Sequence, residues 1–345
     1  MAGSGTAHLR PADDDIVLRV EDLVVEYHVA GGTVQAVSGL SFDVRRGETL
    51  GLVGESGCGK STTGRAVMML PRPSSGSVRF GDREMTGLSQ RELRETRPKL
   101  QMIFQDPISS LNPRRTIDKI VGEGLSIWKR PDARERVAEV ISAVGLDPEV
   151  VSTRRPHQFS GGQCQRISIA RVLAMEPEIV ICDEPVSALD VSVQAQILNL
   201  LEDMKARYQL TLIFIAHDLA VVKNISDRIA VMYLGKLCEI GPSGAVYEKP
   251  WHPYTGALLE AVPVPDPSVA IEPMAVEGEL PTPLAPPSGC RFRTRCPFAR
   301  DRCAQEEPQM REVGPGHYVA CHFPPADGRL DETENLKADK IKGGS

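Results

Sequence analysis

Apolar runs and amphipathic stretches alternate along the first three quarters of the chain. The continuous apolar runs at residues 49–53, 179–182 and 210–216 are typical of strands buried on both faces of a parallel sheet. Stretches with apolar residues at helical spacing follow two of these runs, at 61–70 and 191–207. Because buried parallel strands need helical crossovers, this alternation predicts an α/β fold.

Shorter segments indicate further strands. Residues 16–27 and 34–44 alternate well enough to form two antiparallel strands, with a turn at Gly31 and Gly32 between them. The remaining predicted strands are 77–80, 100–104 and a hairpin of 228–233 with 236–240 around Leu234 and Gly235.

The segment 107–175 interrupts this pattern. Within it, Val137, Val140, Ile141 and Val144 recur at the spacing of one helix face. We therefore predict a mostly helical subdomain inserted into the α/β core.

The composition narrows the class of protein. The chain has 345 residues, 41% hydrophobic and 25% charged, as expected for a globular protein of about two domains. Its net charge of −6 argues against a general nucleic-acid binder. No apolar run approaches the roughly 18 residues that a membrane-spanning helix needs. Residues 1–15 are predicted to be disordered and lack the apolar core of a signal peptide, so we expect a cytosolic protein whose membrane association depends on a partner.

The segment 54–61, Gly-Glu-Ser-Gly-Cys-Gly-Lys-Ser, matches the phosphate-binding P-loop pattern G-x-x-x-x-G-K-S/T. It lies between a predicted strand and a predicted helix, as the pattern requires. Its glycines let backbone N–H groups surround phosphate oxygens, and the helix directs its positive end at the same anion. We expect Lys60 to reach the β- and γ-phosphates of ATP and Ser61 to bind Mg²⁺. The predicted nucleotide-binding residues of this segment are Gly54, Glu55, Ser56, Gly57, Cys58, Gly59, Lys60, Ser61 and Thr62.

Polar residues follow two of the buried runs at the edge where α/β sheets bind ligands. Asp183 is expected in the Mg²⁺ shell, and Glu184 is placed to polarise a water, with a helix cap or a surface acid as the alternative. His217 is expected to contact a γ-phosphate, or else to be a core or capping histidine. Tyr27 is a candidate platform for adenine and equally a candidate core residue.

Ser-Gly-Gly-Gln at 160–163 resembles the signature of ATP-binding-cassette (ABC) ATPases. The other motifs of that family occur in its order. They are the aromatic Tyr27, the P-loop at 54–61, a Q-loop at Gln105, a Walker B strand at 179–184, a D-loop at 187–190 and an H-loop at His217. The resemblance covers about residues 16–260. It implies an ABC cassette, with a RecA-like P-loop NTPase core, an antiparallel β subdomain and an inserted helical subdomain.

The family resemblance also implies a sandwich of two such subunits with two ATP molecules between them. The P-loop of each subunit would face the signature of the other, so Ser160, Gly161, Gly162 and Gln163 would contact the partner's nucleotide. Asp190 of the D-loop joins the implied nucleotide-binding set. Gln105, with Ser61 and Asp183, would contact the magnesium ion. The implied catalytic residues are Lys60, Gln105, Glu184 and His217.

A narrower resemblance rests on residues 106–113, 183–194 and 252–255, which are similar to the ATPase subunits of oligopeptide and dipeptide importers. Phe159 replaces the usual leucine before the signature, and Cys164 replaces an arginine, which alters the local charge. The resemblance implies a peripheral translocase ATPase on the cytoplasmic face of the cell membrane. The implied partners are a paralogous second ATPase subunit, two transmembrane permease subunits and an extracytoplasmic solute-binding protein, with no nucleic acid.

Two other functions remain open from the sequence. An importer of nickel or another small solute would use the same type of ATPase, which never touches the solute. A soluble ABC ATPase is the second alternative. Such proteins tend to carry two cassettes or a long coiled coil, whereas this chain has one cassette and no sustained heptad run.

Four of the eight cysteines lie in the last sixth of the chain. A proline-rich linker at 263–288 leads to a predicted cysteine-rich module at 289–324, and 325–345 is predicted to be a disordered tail. Cys290, Cys296, Cys303 and Cys321 suit a 4Fe–4S cluster or a structural Zn²⁺, although the C-x₂₋₄-C spacing usual for zinc is missing. Free or disulfide-bonded cysteines are the third interpretation. The subfamily resemblance favours iron–sulfur, and His317 and His322 are further potential ligands.

Overall fold

Two β-sheets and the helices that cover them make up the fold of this computed structural model, which describes residues 4–261 and 280–325. The strands are β1 Ile16–Val29, β2 Gly32–Arg45, β3 Thr49–Val53, β4 Ser75–Phe80, β5 Arg83–Glu84, β6 Leu100–Ile103, β7 Ile179–Asp183, β8 Thr211–Ala216, β9 Arg228–Tyr233, β10 Lys236–Pro242, β11 Arg311–Gly314 and β12 His317–Val319. The helices are α1 Lys60–Val67, α2 Gln90–Thr96, α3 Ile117–Val121, α4 Glu123–Ile127, α5 Ala133–Ala143, α6 Pro148–Val151, α7 Gly161–Leu173, α8 Val191–Tyr208, α9 Leu219–Ile225, α10 Ser243–Glu248, α11 Pro253–Glu260 and α12 Asp301–Gln305.

The larger sheet contains eight strands in the order β11-β12-β10-β9-β3-β8-β7-β6. Strands β6, β7, β8, β3 and β9 are parallel, so their carboxyl ends meet at one edge. Side chains of β7 alternate between two hydrophobic clusters, because Ile179 and Ile181 face one and Val180 and Cys182 face the other. The predicted burial on both faces is therefore present, and so is the predicted β9–β10 hairpin.

The smaller sheet has the order β2-β1-β4-β5 and is antiparallel. Its inner residues, such as Leu18, Leu40 and Phe42, share a hydrophobic cluster with Leu50 and Leu52 of β3. The β1–β2 hairpin predicted from alternation is observed, with both strands slightly longer than expected. This sheet therefore packs on the P-loop strand.

The helices α3 to α7 form the predicted helical insertion between β6 and β7. Their apolar residues belong to the other hydrophobic cluster, with Ile120, Val140, Ile141 and Ile167 each almost fully buried. Helix α7 contacts both α3 and α5, and it also reaches β6 of the core. The end of α7 thereby ties the insertion to the parallel sheet.

The amino-terminal segment differs from the expectation of disorder at 1–15. The Nε2 atom of His8 lies 2.7 Å from the Ser41 carbonyl oxygen, and Arg10 donates to Asp43 at 2.7 Å and to Glu48 at 2.6 Å. His8 is only 2% exposed. Buried acidic residues of β2 and its turn thus hold residues 4–15, an interaction that the polar composition of this segment does not reveal.

The carboxyl-terminal module packs on the cassette instead of forming a separate core. Strand β12 pairs with β10, and β11 pairs with β12, so the module extends the larger sheet. Phe292 is 1% exposed and belongs to the same hydrophobic cluster as Tyr233 and Tyr254. Most of the predicted linker at 263–288 and nearly all of the tail at 325–345 lie outside the described residues.

No helix within residues 4–261 and 280–325 has both the length and the apolar character that crossing a bilayer requires.

Candidate functional site

The P-loop connects β3 to α1, as predicted. Gly54, Gly57 and Gly59 have φ angles of 156°, 80° and 105°, a region that side chains disfavour. A Cβ atom at Gly54 would lie 2.1 Å from the Met232 carbonyl oxygen, and one at Gly59 would lie 2.2 Å from that of Ala36. The positions of Gly54 and Gly59 therefore need glycine both for the turn and for the close packing, whereas that of Gly57 needs it for the turn alone.

Lys60 lies inside this loop and is 4% exposed. Its Nζ atom donates to the carbonyl oxygens of Gly54 at 2.7 Å and Glu55 at 2.9 Å. The ammonium group is thus held where α1 begins and where the dipole of α1 is positive. The positive charge of Lys60 would therefore lie close to a triphosphate bound in the loop.

Ser61 in the first turn of α1 contacts Asp183, the last residue of β7, at the carboxyl edge of the parallel sheet. The Ser61 hydroxyl donates to Oδ1 of Asp183 at 2.5 Å, and the Asp183 side chain is fully buried. Its Oδ2 atom has no hydrogen-bond partner, although Arg65 lies 3.6 Å away. Burial raises the pKa of Asp183, while the Ser61 hydrogen bond and Arg65 lower it. A hydroxyl beside a buried carboxylate with a free oxygen is a donor set that fits Mg²⁺.

Glu184 follows Asp183 and lies beside Gln105 and His217. Its Oε2 atom accepts a hydrogen bond from Gln105 Nε2 at 2.9 Å and lies 3.6 Å from His217 Nδ1. The Glu184 side chain is 14% exposed and that of His217 is 58% exposed. Glu184 has a φ of 45°, and its backbone N–H donates to the Ile215 carbonyl oxygen of β8 at 3.0 Å. Gln105, Glu184 and His217, which were all predicted to belong to the active site, therefore lie together at the carboxyl edge of the parallel sheet.

The predicted signature forms the start of α7 at a different place. Ser160 caps the helix by accepting from the Gln163 N–H, and the Gln163 side chain accepts from the Ser160 N–H. Both side chains are exposed, and a Cβ atom on Gly162 would lie 2.6 Å from Val193 of α8. In the described parts of the chain no hydrogen bond joins this segment to the P-loop, so the structure does not bring the two together within one chain.

Cys164, the departure that was expected to alter the charge near the signature, points into the protein. It is 1% exposed, and its thiol contacts the Pro156 carbonyl oxygen at 3.6 Å. This cysteine therefore contributes to the packing of α7 and not to the exposed face of the signature.

Three further predicted residues make no hydrogen bond or ion pair with Glu184 and its neighbours within the described ranges of the chain. Tyr27 lies in β1, pairs with Val34 and is 39% exposed, so it belongs to the surface and not to the core. Thr62 is a half-buried residue in the first turn of α1, and Asp190 is the N-cap residue of α8.

The four cysteines of the carboxyl-terminal module line one cavity together with His252, Phe292 and His322. All four are free thiols. Burial raises the pKa of Cys290 to about 11 and the pKa values of Cys296 and Cys321 to about 12. Across the described ranges, no group of three or more ligating side chains is arranged to hold a metal ion. His317 is buried at 2.7 Å from Glu239, away from these thiols.

Two residues at the P-loop were not anticipated from the sequence. Arg295 of the cysteine-rich module lies 2.8 Å from the carboxylate of Glu55, and the Tyr254 hydroxyl accepts the Glu55 N–H at 2.7 Å. These contacts join positions about 200 and 240 residues apart. Local patterning carries no signal for such a pair.

Comparison with known proteins gives consistent results along the chain. Residues 37–187 match the family model described as ABC transporter, and residues 238–303 match the model described as "Oligopeptide/dipeptide transporter, C-terminal region". The chain is 53% identical to "Putative oligopeptide transport ATP-binding protein YkfD" of Bacillus subtilis, over 84% of this chain and 90% of the relative. It is 50% identical to "Oligopeptide transport ATP-binding protein OppF" of Salmonella typhimurium, over 89% and 96%.

Solved structures agree with the fold. CbiO1 from Clostridium perfringens, part of the ABC transporter complex cbiONQ, matches with a TM-score of 0.61 and 31% identity over 68% of this chain and 91% of that one. The ATP-binding cassette MJ0796, in a dimeric post-hydrolysis state with ADP and Pi, matches with a TM-score of 0.60 and 27% identity over 66% and 98%. The P-loop, the strand-end groups and the signature thus occur in a known architecture, and the chain belongs to the ABC transporter ATP-binding protein family, in the branch with the oligopeptide/dipeptide carboxyl-terminal region.

Proposed function

We propose that this protein is the ATP-hydrolysing subunit of an importer that carries peptides across the cytoplasmic membrane. The observation that carries the proposal is the identity of about 50% to oligopeptide transport ATP-binding proteins over nearly the whole length of both chains. A match in the carboxyl-terminal region supports the same solute class, because residues 238–303 lie beyond the match to the general ABC transporter model at 37–187.

The geometry of the site supports the following residue roles in this proposal. Lys60 and the P-loop N–H groups would neutralise the triphosphate, and Ser61 and Asp183 would hold Mg²⁺, with Gln105 as a further contact. The ion would supply a Lewis acid to the phosphate oxygens. Glu184 accepts a proton from the attacking water. Gln105 holds the Glu184 carboxylate in place, and His217 holds the γ-phosphate.

The exposed signature supports assembly with a second ATPase subunit. Ser160, Gly162 and Gln163 begin a helix whose positive end is open to solvent, and such an end attracts phosphate. In the proposed sandwich this end completes the nucleotide site of the partner, a paralogous chain. Two permease subunits and an extracytoplasmic binding protein complete the importer, and this chain lies on the cytoplasmic face of the membrane.

Reconstitution tests the proposal directly. The full chain is purified from membranes with its associated subunits, which are identified, and the complex is placed in proteoliposomes with the binding protein. We expect ATP hydrolysis to be stimulated by peptides and not by nickel ions, and to vanish in Lys60→Ala. ATP hydrolysis stimulated by nickel and not by peptides would show that the transported solute is not a peptide. A chain that purifies from membranes without permease subunits and still hydrolyses ATP would contradict the coupling of hydrolysis to transport.

For the cysteine cavity we propose a 4Fe–4S cluster ligated by Cys290, Cys296, Cys303 and Cys321, with Zn²⁺ as the alternative. The support is that four thiols of one short module line a single cavity. Within the described residues these thiols are not yet arranged as a metal site, so binding of the cluster would have to draw them together. Burial and the neighbouring thiols hold several of these pKa values high. Bound metal cations would stabilise the thiolates.

Anaerobic purification distinguishes the two metals. An iron–sulfur cluster gives a brown protein with broad visible absorbance and equal amounts of iron and sulfide, whereas zinc gives a colourless protein. Cys296→Ser should lose the metal, and Cys164→Ser, a buried cysteine far along the chain in α7, should retain it. A metal-free wild-type protein would rule out both assignments.

A further inference from the structure

The cysteine-rich module touches the P-loop through Glu55, the second residue of the phosphate-binding segment. Arg295 Nη1 lies 2.8 Å from Glu55 Oε2, and the side chains of Arg295 and Glu55 are 11% and 29% exposed. The guanidinium carbon of Arg295 also lies 5.9 Å from the centre of the Tyr233 ring. This ion pair is therefore largely shielded from solvent.

The segment that carries Arg295 is fixed firmly to the cassette. Phe292 packs at 5.2 Å from the ring of Tyr233 and 5.4 Å from that of Tyr254. Arg291 donates to Ser38 Oγ and Gln35 Oε1, both at 2.9 Å, and so bridges the module to β2. These contacts limit the freedom of Arg295, so its position follows that of the module.

Glu55 is an unfavourable residue for a triphosphate site. Its carboxylate is attached to the loop whose N–H groups and lysine exist to bind phosphate anions, and like charges at short range repel in a partly buried site. Its ion pair with Arg295 offsets that charge. The Glu55 N–H is also turned toward the Tyr254 hydroxyl at 2.7 Å, so a residue of α11 and a residue of the module together hold this part of the loop.

We propose that Arg295 is a positioning residue for ATP binding, which holds and neutralises the Glu55 carboxylate so that the P-loop accepts the triphosphate. This inference rests on ATP binding at the P-loop and adds the module as a part that sets its affinity. Any change in the module that moves Arg295 then reaches the nucleotide site as a change in ATP affinity. The chemistry of hydrolysis, which takes place at Glu184, is not altered.

The test uses the full-length chain and four variants, Arg295→Gln, Glu55→Gln, the double variant and Arg302→Gln. Arg302 is the matched control, because it is an arginine of the same module that pairs at 2.8 Å with Glu306 and not with the P-loop. The dissociation constant of a Mg²⁺-bound, non-hydrolysable ATP analogue is measured for each. The kcat at saturating ATP is measured in the assembled complex.

Arg295→Gln should raise the dissociation constant about five- to tenfold, which is about 1–1.4 kcal/mol. Glu55→Gln should bind the analogue more tightly than wild type, because it removes the carboxylate that repels the triphosphate, and the double variant should return to the level of Glu55→Gln. Arg302→Gln should match wild type in both affinity and kcat, and Arg295→Gln should keep the wild-type kcat. Rescue by a second substitution is the feature that a purely structural role of Arg295 would not produce.

Several outcomes would overturn the inference. One is an unchanged affinity of Arg295→Gln for the ATP analogue. Another is a double variant that binds the analogue as weakly as Arg295→Gln alone, and a third is an effect of Arg295→Gln on kcat only. Thermal unfolding of each variant shows whether weak binding reflects misfolding, and Arg295→Lys, which keeps the charge, should retain most of the affinity. Wild-type chain that fails to bind nucleotide, or Lys60→Ala that still binds it, would overturn the P-loop assignment itself and this inference with it.

Discussion

Replacing Glu184 by glutamine isolates the chemical step from nucleotide binding. The carboxylate accepts a hydrogen bond from Gln105 at 2.9 Å and lies 3.6 Å from His217, with 14% of its side chain exposed. Glutamine has the same shape, and its amide oxygen can still accept from Gln105. We therefore expect the fold and the binding of Mg²⁺–ATP to be retained. The negative charge that would receive the proton of the attacking water is lost.

The size of the loss follows from that role. A positioned general base contributes about 10²–10⁴-fold to the rate. This corresponds to a barrier increase of about 2.7–5.4 kcal/mol, at 1.36 kcal/mol for each factor of ten. The assay compares single-turnover hydrolysis of ATP in the assembled complex with equilibrium binding of ATP to the same preparation.

Glu178→Gln is the matched control for this experiment. Glu178 precedes β7 at the end opposite to the site, where it pairs with Lys99 at 2.7 Å and Arg46 at 3.3 Å. This variant should hydrolyse ATP like wild type. Turnover by Glu184→Gln close to the wild-type rate would refute the assignment of the base, and so would a loss of ATP binding equal to the loss of turnover.

Three further predictions concern stability. Phe292→Ala removes a fully packed ring and should cost about 3–5 kcal/mol of unfolding free energy, measured by chemical denaturation; an unchanged unfolding midpoint would contradict the shared core. Burial lowers the pKa of His252 to about 3, so stability should fall as pH drops below about 6.5, where the unfolded chain takes up the proton. His252→Asn keeps an N-cap acceptor and should flatten this decline; parallel curves would contradict it. Arg10→Gln leaves the fully buried Asp43 with Arg228 as a remaining charged partner and should cost about 1.5–3 kcal/mol near pH 7 in the same measurement.

The buried parallel strands were predictable because their patterns are local. The run at 179–182 is apolar at every position, and the structure uses both faces of that strand in different hydrophobic clusters. Asp183 and Glu184 were predicted at the carboxyl edge for the same reason, since a polar pair that ends such a run has only that edge to occupy. The P-loop was equally predictable, because its glycines and lysine are contiguous in sequence.

The contacts of the two chain ends were not predictable in this way. Strands β11 and β12 have only four and three residues, too few for an alternation to stand out. The segment at 4–15 is polar, and its order depends on buried Asp43 and on Glu48, which lie 33 and 38 residues beyond Arg10 in the chain. The pairing of Arg295 with Glu55 depends on how the whole module packs, so no spacing rule applies to it.

Two of the carboxylates beside the proposed triphosphate site, Glu184 and Glu55, are each held by a residue from a different part of the chain. Gln105 at the start of the helical insertion donates to Glu184, and Arg295 of the module pairs with Glu55. In the proposed mechanism Glu184 activates the attacking water, whereas Glu55 lies on the loop proposed to bind the phosphates. We therefore expect Gln105→Ala to lower kcat much more than nucleotide affinity, because the P-loop with Ser61 and Asp183 would still hold Mg²⁺–ATP. Arg295→Gln should lower affinity with little change in kcat. Measuring both parameters for both variants in one complex checks this division, and a shift of the same parameter in both would show that the two carboxylates do not act separately.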